Sequence, residues 1–328
     1  MKKYLFFANH YYPNNKVLFL NGSLMQVKNP WDMIDNCFLR ALCRFHNSPR
    51  LNSRLRLPFR HIWFRSFFCD FYKDSDEQVF IINGHFYQLA FSGLIEYFKK
   101  KYPNGKTVFT FSDKYEMFTC LYKHFPSVEL IKQKFDLVLT YNWNDASKYN
   151  LTLSRPCFID FSLFNPVAAD DSDVFFVGRS KGRTSLLIDI YNQCVAHGLK
   201  CLFYILGTSD QTLSHYPGIF FNTVVPYNKV VSCVRKTKAI VNLVQNDGVG
   251  ITLRDYEASF FGKVLITNND ALKDDSVRDS LFDDNQIIWI DSLPSKLDKI
   301  TNSSFDNRKS DNYSIDNWYK WLDSLLHF

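Results

Sequence analysis

The sequence predicts an α/β chain made of two doubly wound domains. Short apolar runs rich in β-branched and aromatic residues alternate with longer stretches of helical spacing. The alternation pauses at a proline-containing, acidic stretch from Phe164 to Asp173 and then restarts. Glycine or Asn–Gly follows many of the runs, as it does at the ends of strands and helices. Strands that alternate with helices imply a parallel sheet wrapped by helices.

Taken in order, Lys3–Phe7 reads as a strand and Val17–Leu20 as a second one. Trp31–Phe45 has helical spacing, and a basic, aromatic, irregular segment follows from Asn47 to Tyr72. Val79–Ile82 is a strand ended by Asn83-Gly84, and Phe86–Lys101 a helix closed by Pro103-Asn104-Gly105. Val108–Phe111, Tyr115–Phe125 and Phe135–Thr140 continue as strand, helix and strand. After the pause, strands are expected at Val174–Val177, Lys200–Leu206, Ala239–Val244, Val264–Thr267 and Ile287–Ile290. The intervening helices are Thr184–His197, Tyr227–Val234 and Thr252–Phe261, and a tryptophan-rich helix over Asp316–Leu326 closes the chain. The expected division is a first domain over 1–165 and a second over 166–312, the two facing a central cleft. The segment 313–328 is expected to pack back across their interface.

A length of 328 residues suits about two domains. Hydrophobic residues make up 46% of the chain and aromatics 17%, enough for two cores and some contact surface. No apolar run reaches the roughly 18 residues of a membrane span. The segment Met1–Ala8 carries two lysines but no small-residue cleavage site, so it reads as a strand rather than a signal peptide. The eight cysteines form no C-x-x-C pair, which argues against zinc and for a reduced, cytoplasmic chain. The net charge of +6 has a local source: seven arginines from Arg40 to Arg65 have no acidic residue among them.

Two stretches carry chemistry. In Gln245-Asn246-Asp247-Gly248-Val249-Gly250-Ile251-Thr252-Leu253-Arg254-Asp255-Tyr256-Glu257 a glycine loop joins a strand to a helix. Gly248 and Gly250 let backbone approach a ligand closely, and Thr252 with Asp255 forms a capping box. Leu253 and Arg254 open the helix, whose free N–H groups suit a diphosphate. Glu257, one turn in, is a carboxylate able to accept ribose hydroxyls. An ordinary turn with an ordinary cap gives the same pattern. In the second stretch, Gly178 ends a strand and Arg179, Lys181 and Arg183 follow within five residues. At a strand's carboxyl end such cations face the crevice where these sheets bind ligands, and Gly207 ends the next strand there. Arginine grips phosphate oxygens with two donors; a solvated basic turn is the alternative. The spacing does not fit a Walker loop.

Together these stretches resemble the donor domain of GT-B glycosyltransferases, most closely a group found in capsule, exopolysaccharide and lipopolysaccharide biosynthesis. The resemblance rests on Val177-Gly178-Arg179-Ser180-Lys181-Gly182-Arg183, on Gly250-Ile251-Thr252-Leu253-Arg254-Asp255-Tyr256-Glu257-Ala258 and on Lys263-Val264-Leu265-Ile266-Thr267-Asn268-Asn269. Upstream, Phe135–Tyr141 followed by Asp145–Asn150 is similar to that group's linker-side pattern. The resemblance spans roughly residues 107–292. It implies that Arg179, Lys181 or Arg183 binds the donor diphosphate and that Glu257 binds ribose. The common pattern of this fold has two glutamates separated by seven residues; here the earlier acid is Asp247, ten residues before Glu257.

Asp171-Ser172-Asp173 matches the D-x-D metal motif of the other main glycosyltransferase fold, but it precedes a strand instead of following one. It reads as linker, and neither a catalytic metal nor a resident cofactor is expected. Base candidates must come from the first domain: Asp113, His85 and His10 all follow predicted strands. The run Arg54-Leu55-Arg56-Leu57-Pro58-Phe59-Arg60-His61-Ile62-Trp63-Phe64-Arg65 interleaves arginine with apolar groups. It fits an anionic membrane surface or an acceptor, with Arg54, Arg56, Arg60, Trp63 and Arg65 as contacts; an exposed element with a core face is the alternative. No helix-turn-helix, zinc finger or RNA-binding motif accompanies the charge, which argues against nucleic acid.

The resulting expectation is metal-independent transfer of a sugar from a nucleotide-diphosphate donor to a surface-polysaccharide or lipopolysaccharide acceptor. The partners would be the nucleotide sugar, a free or lipid-linked glycan and the inner leaflet of the cytoplasmic membrane, held peripherally. The rival readings are a nucleotide-sugar epimerase and a non-catalytic nucleotide-sugar or polysaccharide-binding protein.

Overall fold

The computed structural model describes residues 3–8, 25–48, 51–52, 55, 57–68, 71, 77–154, 161, 164–208, 216–245, 250–283, 285–303 and 315–326. The chain forms two compact units, Met1–Ile159 with Asp316–Phe328, and Asp160–Ile315.

In the first unit, strands β1 (Lys3–Phe7), β2 (Met25–Lys28), β3 (Gln78–Asn83), β4 (Lys106–Phe111), β5 (Leu137–Thr140) and β6 (Thr152–Leu153) form one sheet. Its order is β2-β1-β3-β4-β5-β6, and every pairing is parallel. Helices α1 (Cys37–His46) and α2 (His61–Phe67) lie between β2 and β3. Asn36 caps α1, its side chain accepting from Phe38 and Leu39 N–H, so the helix begins six residues later than the apolar spacing from Trp31 suggests. α2 arises within the stretch that reads as irregular. Residues Phe86–Lys101, expected as one helix, are broken at Gly93, which takes φ +106°; α3 (Ile95–Lys101) is the regular remainder. Helices α4 (Tyr115–Leu121), α5 (Val128–Lys134) and α6 (Trp143–Tyr149) complete the alternation. The strand expected at Val17–Leu20 lies outside the described residues.

Much of the aromatic content lies in this unit's core. Phe7, Phe67, Phe68, Phe80 and Phe98 are buried together, with Phe7 and Phe80 edge to face at 4.9 Å. The terminal helix joins the same unit by stacking Tyr319 on Tyr4 at 4.5 Å, and the Tyr4 hydroxyl donates to Asp323 at 2.6 Å.

The second unit carries β7 (Val174–Arg179), β8 (Cys201–Leu206), β9 (Ile219–Phe221), β10 (Ala239–Asn242), β11 (Val264–Thr267) and β12 (Ile287–Trp289). The sheet order is β12-β11-β10-β7-β8-β9, again all parallel. Numbered from the unit's own first strand and read from the β9 edge this is 3-2-1-4-5-6, the doubly wound Rossmann arrangement. Alternate strand residues feed two cores: Val174, Phe203 and Val241 pack on one face, and Phe175, Tyr204 and Ile240 on the other. A sheet buried on both faces needs near-continuous apolar strands, which is how these runs read. Helices α7 (Thr184–Ala196), α8 (Tyr227–Lys236) and α9 (Leu253–Phe260) cover the faces.

Candidate functional site

The reversal of strand order in the second unit falls between β7 and β10. These strands pair only at Ala239 with Val174 and Ile240 with Phe175. β7 then continues beside β8 as far as Arg179. The carboxyl ends of β7 and β10 therefore part, and such a fork is where open α/β sheets bind ligands.

On one side of the fork lies the turn after β7. Ser180 anchors it, its N–H donating to Leu206 O at 2.7 Å and its hydroxyl to Gly207 O at 2.9 Å. Lys181 and Gly182 then take φ of +46° and +80° and turn the chain into α7. Glycine adopts that left-handed geometry without the strain a side chain brings. Arg179 and Lys181 are exposed. Arg183 is instead engaged by backbone: its guanidinium donates to Ser180 O at 3.0 Å, to Arg179 O at 3.0 Å and to Leu243 O. It bridges the ends of β7 and β10 and fixes the width of the fork. Its partial burial lowers its pKa. Gly207, at φ +76°, donates its N–H to Asn222 Oδ1 at 2.9 Å.

On the other side stands the start of α9. Asp247 and Gly248 lie outside the described residues. Gly250 takes φ +94°, and its carbonyl accepts Asn269 Nδ2 at 3.0 Å. The capping box forms: Thr252 Oγ1 accepts Arg254 N–H at 3.2 Å, and Asp255 Oδ2 accepts Thr252 N–H at 2.7 Å. Asp255 is fully buried. It also accepts Asn242 Nδ2 at 2.7 Å and Asn269 Nδ2 at 3.2 Å. Burial outweighs these donors and pushes its pKa up to about 6. Leu253 opens the helix. Glu257 has no exposure; it accepts the Tyr227 hydroxyl at 2.7 Å and pairs with Arg254. Burial raises the pKa of Tyr227 and keeps its hydroxyl a donor.

The fold thus gathers Gly178, Arg179, Lys181, Arg183 and Gly207 at neighbouring ends of β7 and β8, and Gly250, Thr252, Leu253, Arg254 and Glu257 at the start of α9. Sequence reasoning missed Asn242, Asn269 and Tyr227, which hold the second group in place. The signal available was one asparagine, Asn242, inside an otherwise apolar strand run and another, Asn269, just past the end of the next. Buried amides there need partners.

In the first unit, His85 and Asp113 follow the adjacent strands β3 and β4. Asn83 Oδ1 accepts His85 N–H at 3.0 Å and the Ser112 hydroxyl at 3.3 Å, which draws the two loops together. His85 Nδ1 lies 2.9 Å from the Tyr122 hydroxyl. Burial lowers the His85 pKa, and the Asp113 charge partly opposes that. Asp113 Oδ1 accepts Lys114 N–H at 2.8 Å and the Tyr141 hydroxyl at 3.3 Å. His10 lies outside the described residues.

Asp171 pairs with Lys236 at 3.1 Å and Asp173 with Lys238 at 2.9 Å. Among the described residues no group of three His, Cys, Asp or Glu side chains is placed to hold a metal ion. Of the basic segment, Arg60 is half-buried and Arg65 exposed. Trp63 donates Nε1–H to His46 at 2.9 Å. Arg54 and Arg56 lie outside the described residues. No described helix is long and apolar enough to cross a membrane.

No protein-family description matches the chain, and no curated protein matches it by sequence. Solved structures do match its fold. A trehalose-6-phosphate synthase, OtsA, aligns with a TM-score of 0.54 at 12% identity, covering 99% of this chain and 99% of that one. An alpha,alpha-trehalose-phosphate synthase (UDP-forming) from Burkholderia vietnamiensis aligns with a TM-score of 0.53 at 10% identity, covering 99% and 97%. At such identities the likeness establishes the fold, the two-unit α/β arrangement of GT-B proteins.

Proposed function

We propose that the protein is a glycosyltransferase that moves a sugar from a nucleotide-diphosphate donor to a glycan acceptor of the surface-polysaccharide or lipopolysaccharide class. One observation carries the reading: the fork between β7 and β10 is flanked by two exposed cations, Arg179 and Lys181, and the capped start of α9 stands at its far side. Cations and a helix N-terminus are the groups a diphosphate needs.

In the reaction an acceptor hydroxyl oxygen forms a bond to the anomeric carbon. The bond from that carbon to the diphosphate oxygen breaks, and its electron pair leaves with the nucleoside diphosphate. Arg179, Lys181 and the α9 N–H groups stabilise the charge that grows on the leaving oxygens, without a metal ion. Arg183 sets the fork's width, while the buried Arg254–Glu257–Tyr227 network braces the start of α9; with Glu257 fully buried and both its oxygens engaged, the ribose contact expected of it is replaced by this bracing role. The hydroxyl proton passes to a first-unit base, for which His85 and Asp113 are the candidates. The acceptor is lipid-linked, and the basic segment rests the chain peripherally on an anionic leaflet.

Thermal-shift screening against a panel of nucleotide sugars, followed by turnover with the best binder, tests this. A stabilising nucleotide sugar and transfer to a glycan are expected. Conversion of donor to an epimer with no acceptor present, or binding without any turnover, would overturn it.

A further inference from the structure

Helix α1 is amphipathic the wrong way round for a soluble protein. Successive helical residues are about 100° apart, so Phe38, Leu42 and Phe45 lie within an arc of about 60°. That arc faces solvent: Phe38 is 70% and Phe45 61% exposed, whereas Cys43 on the opposite side is fully buried. A second apolar group stands close by in sequence, with Leu55, Phe59 and Ile62 each more than 60% exposed. The Trp63–His46 hydrogen bond ties α2 to α1. Asn52 adds two links between them: it donates to His46 O at 2.8 Å and accepts Leu57 N–H at 3.0 Å. Phe59 holds its exposed ring at φ +60°, a strained position for an aromatic residue. Seven of the fourteen large apolar side chains exposed among the described residues fall between Phe38 and Ile62. Scattered exposed leucines need no explanation; a concentration of this kind does.

Charge identifies what covers it. From Asn36 to Cys69 there are seven arginines and no acidic residue. Arg44 stays exposed with its guanidinium 4.9 Å over the Trp31 ring, and Arg65 is exposed on α2. A second copy of the same face would set arginines against arginines. An anionic bilayer accepts both parts: phenyl and leucyl groups enter the acyl boundary while arginines pair with phosphates.

We propose that Phe38, Leu42 and Phe45 of α1, with Phe59 and Ile62 beside α2, insert into the interface of an anionic membrane, and that Arg44, Arg60 and Arg65 hold the headgroups around them. This deepens the membrane part of the proposed function by adding insertion to electrostatic attraction, and it moves the inserting role from Trp63 to α1. It does not depend on the donor site.

The test is sedimentation of the full chain with phosphatidylcholine vesicles, with and without phosphatidylglycerol. Binding only to the anionic vesicles is expected. Arg44→Ser/Arg60→Ser/Arg65→Ser should weaken it roughly hundredfold, at about fivefold per cation. Phe38→Ser/Leu42→Ser/Phe45→Ser should weaken it at least about tenfold, while nucleotide-sugar thermal shifts stay as in the unaltered chain. Phe45→Trp should add fluorescence that brominated phosphatidylglycerol quenches. Absence of binding at low salt overturns the proposal. So does binding that the apolar triple substitution leaves unchanged, which would mean a purely electrostatic contact. A concentration-dependent dimer abolished by that same substitution would assign the face to a second copy instead.

Discussion

Asp255→Asn separates two forces that act on the capped start of α9. The carboxylate is fully buried, which disfavours its charge, and it faces three N–H donors, which favour it. A pKa raised from 3.8 to about 6 says that burial wins. A rise of that size corresponds to about 3 kcal/mol. For an acid whose folded pKa is raised, the unfolded chain releases its proton first. The stability contribution is therefore full below about pH 4 and is lost as pH rises through about 6. Asparagine never ionises, so it escapes this loss. Its amide, however, sets a donor against Asn242 Nδ2 and forfeits one hydrogen bond, about 1–3 kcal/mol for a buried group. The variant should be less stable than the parent at pH 4, and the gap should close or reverse by pH 7. Hydrogen exchange of the 253–260 amides in the full chain, followed by mass spectrometry from pH 4 to 7, reads this difference at the helix concerned. A gap that widens with rising pH would show that the three donors outweigh burial and that the reasoning has the wrong sign.

Three further outcomes follow from the site. Arg179→Ala should weaken nucleotide-sugar binding by about ten- to hundredfold, the contribution of one charge-assisted hydrogen bond, and Glu257→Ala should weaken it indirectly, by leaving Arg254 and Tyr227 without their buried partner at the start of α9. Calorimetry on folded variants checks this, and unchanged affinity in both removes the donor assignment. If Arg179, Lys181 and α9 supply the positive charge, as proposed, turnover should survive excess EDTA; full loss restored by manganese would show that a metal does that work. If His85 is the base, kcat/KM should fall with acid along a limb centred below about pH 6.5, because burial lowers its pKa and only the neutral ring accepts a proton. His85→Gln should abolish that limb, and a limb that persists in the variant transfers the role to another group such as Asp113.

Strands and helices were legible where local pattern and tertiary demand agree. β11 is Val264–Thr267 and β1 is Lys3–Phe7, both as their apolar runs suggest, because a strand buried on both faces can hardly be written in other residues. Helix ends were less legible, since a cap outranks periodicity. Asn36 starts α1 in the middle of an apolar pattern, and Gly93 interrupts another because its backbone turns left-handed there. The amphipathicity of α1 was readable from spacing alone, but its direction was not. Nothing local says whether Phe38, Leu42 and Phe45 face the core, and only the burial of Cys43 opposite them decides it.

The loops flanking the β7–β10 fork show the same division more sharply. Arg179, Lys181 and Arg183 are three cations in five residues, and by sequence alone each has an equal claim on a phosphate. What separates them is a carbonyl sixty positions away: Leu243 O receives the Arg183 guanidinium, while the other two side chains remain exposed. The same holds for the acids of α9. Asp255 and Glu257 stand two residues apart, yet one is surrounded by amide and backbone donors and the other by a guanidinium and a phenol. Residue type fixes what chemistry a position can perform. Which chemistry it does perform is set by partners that arrive from other strands, and these are brought together by the parting of β7 from β10 at the reversal of strand order.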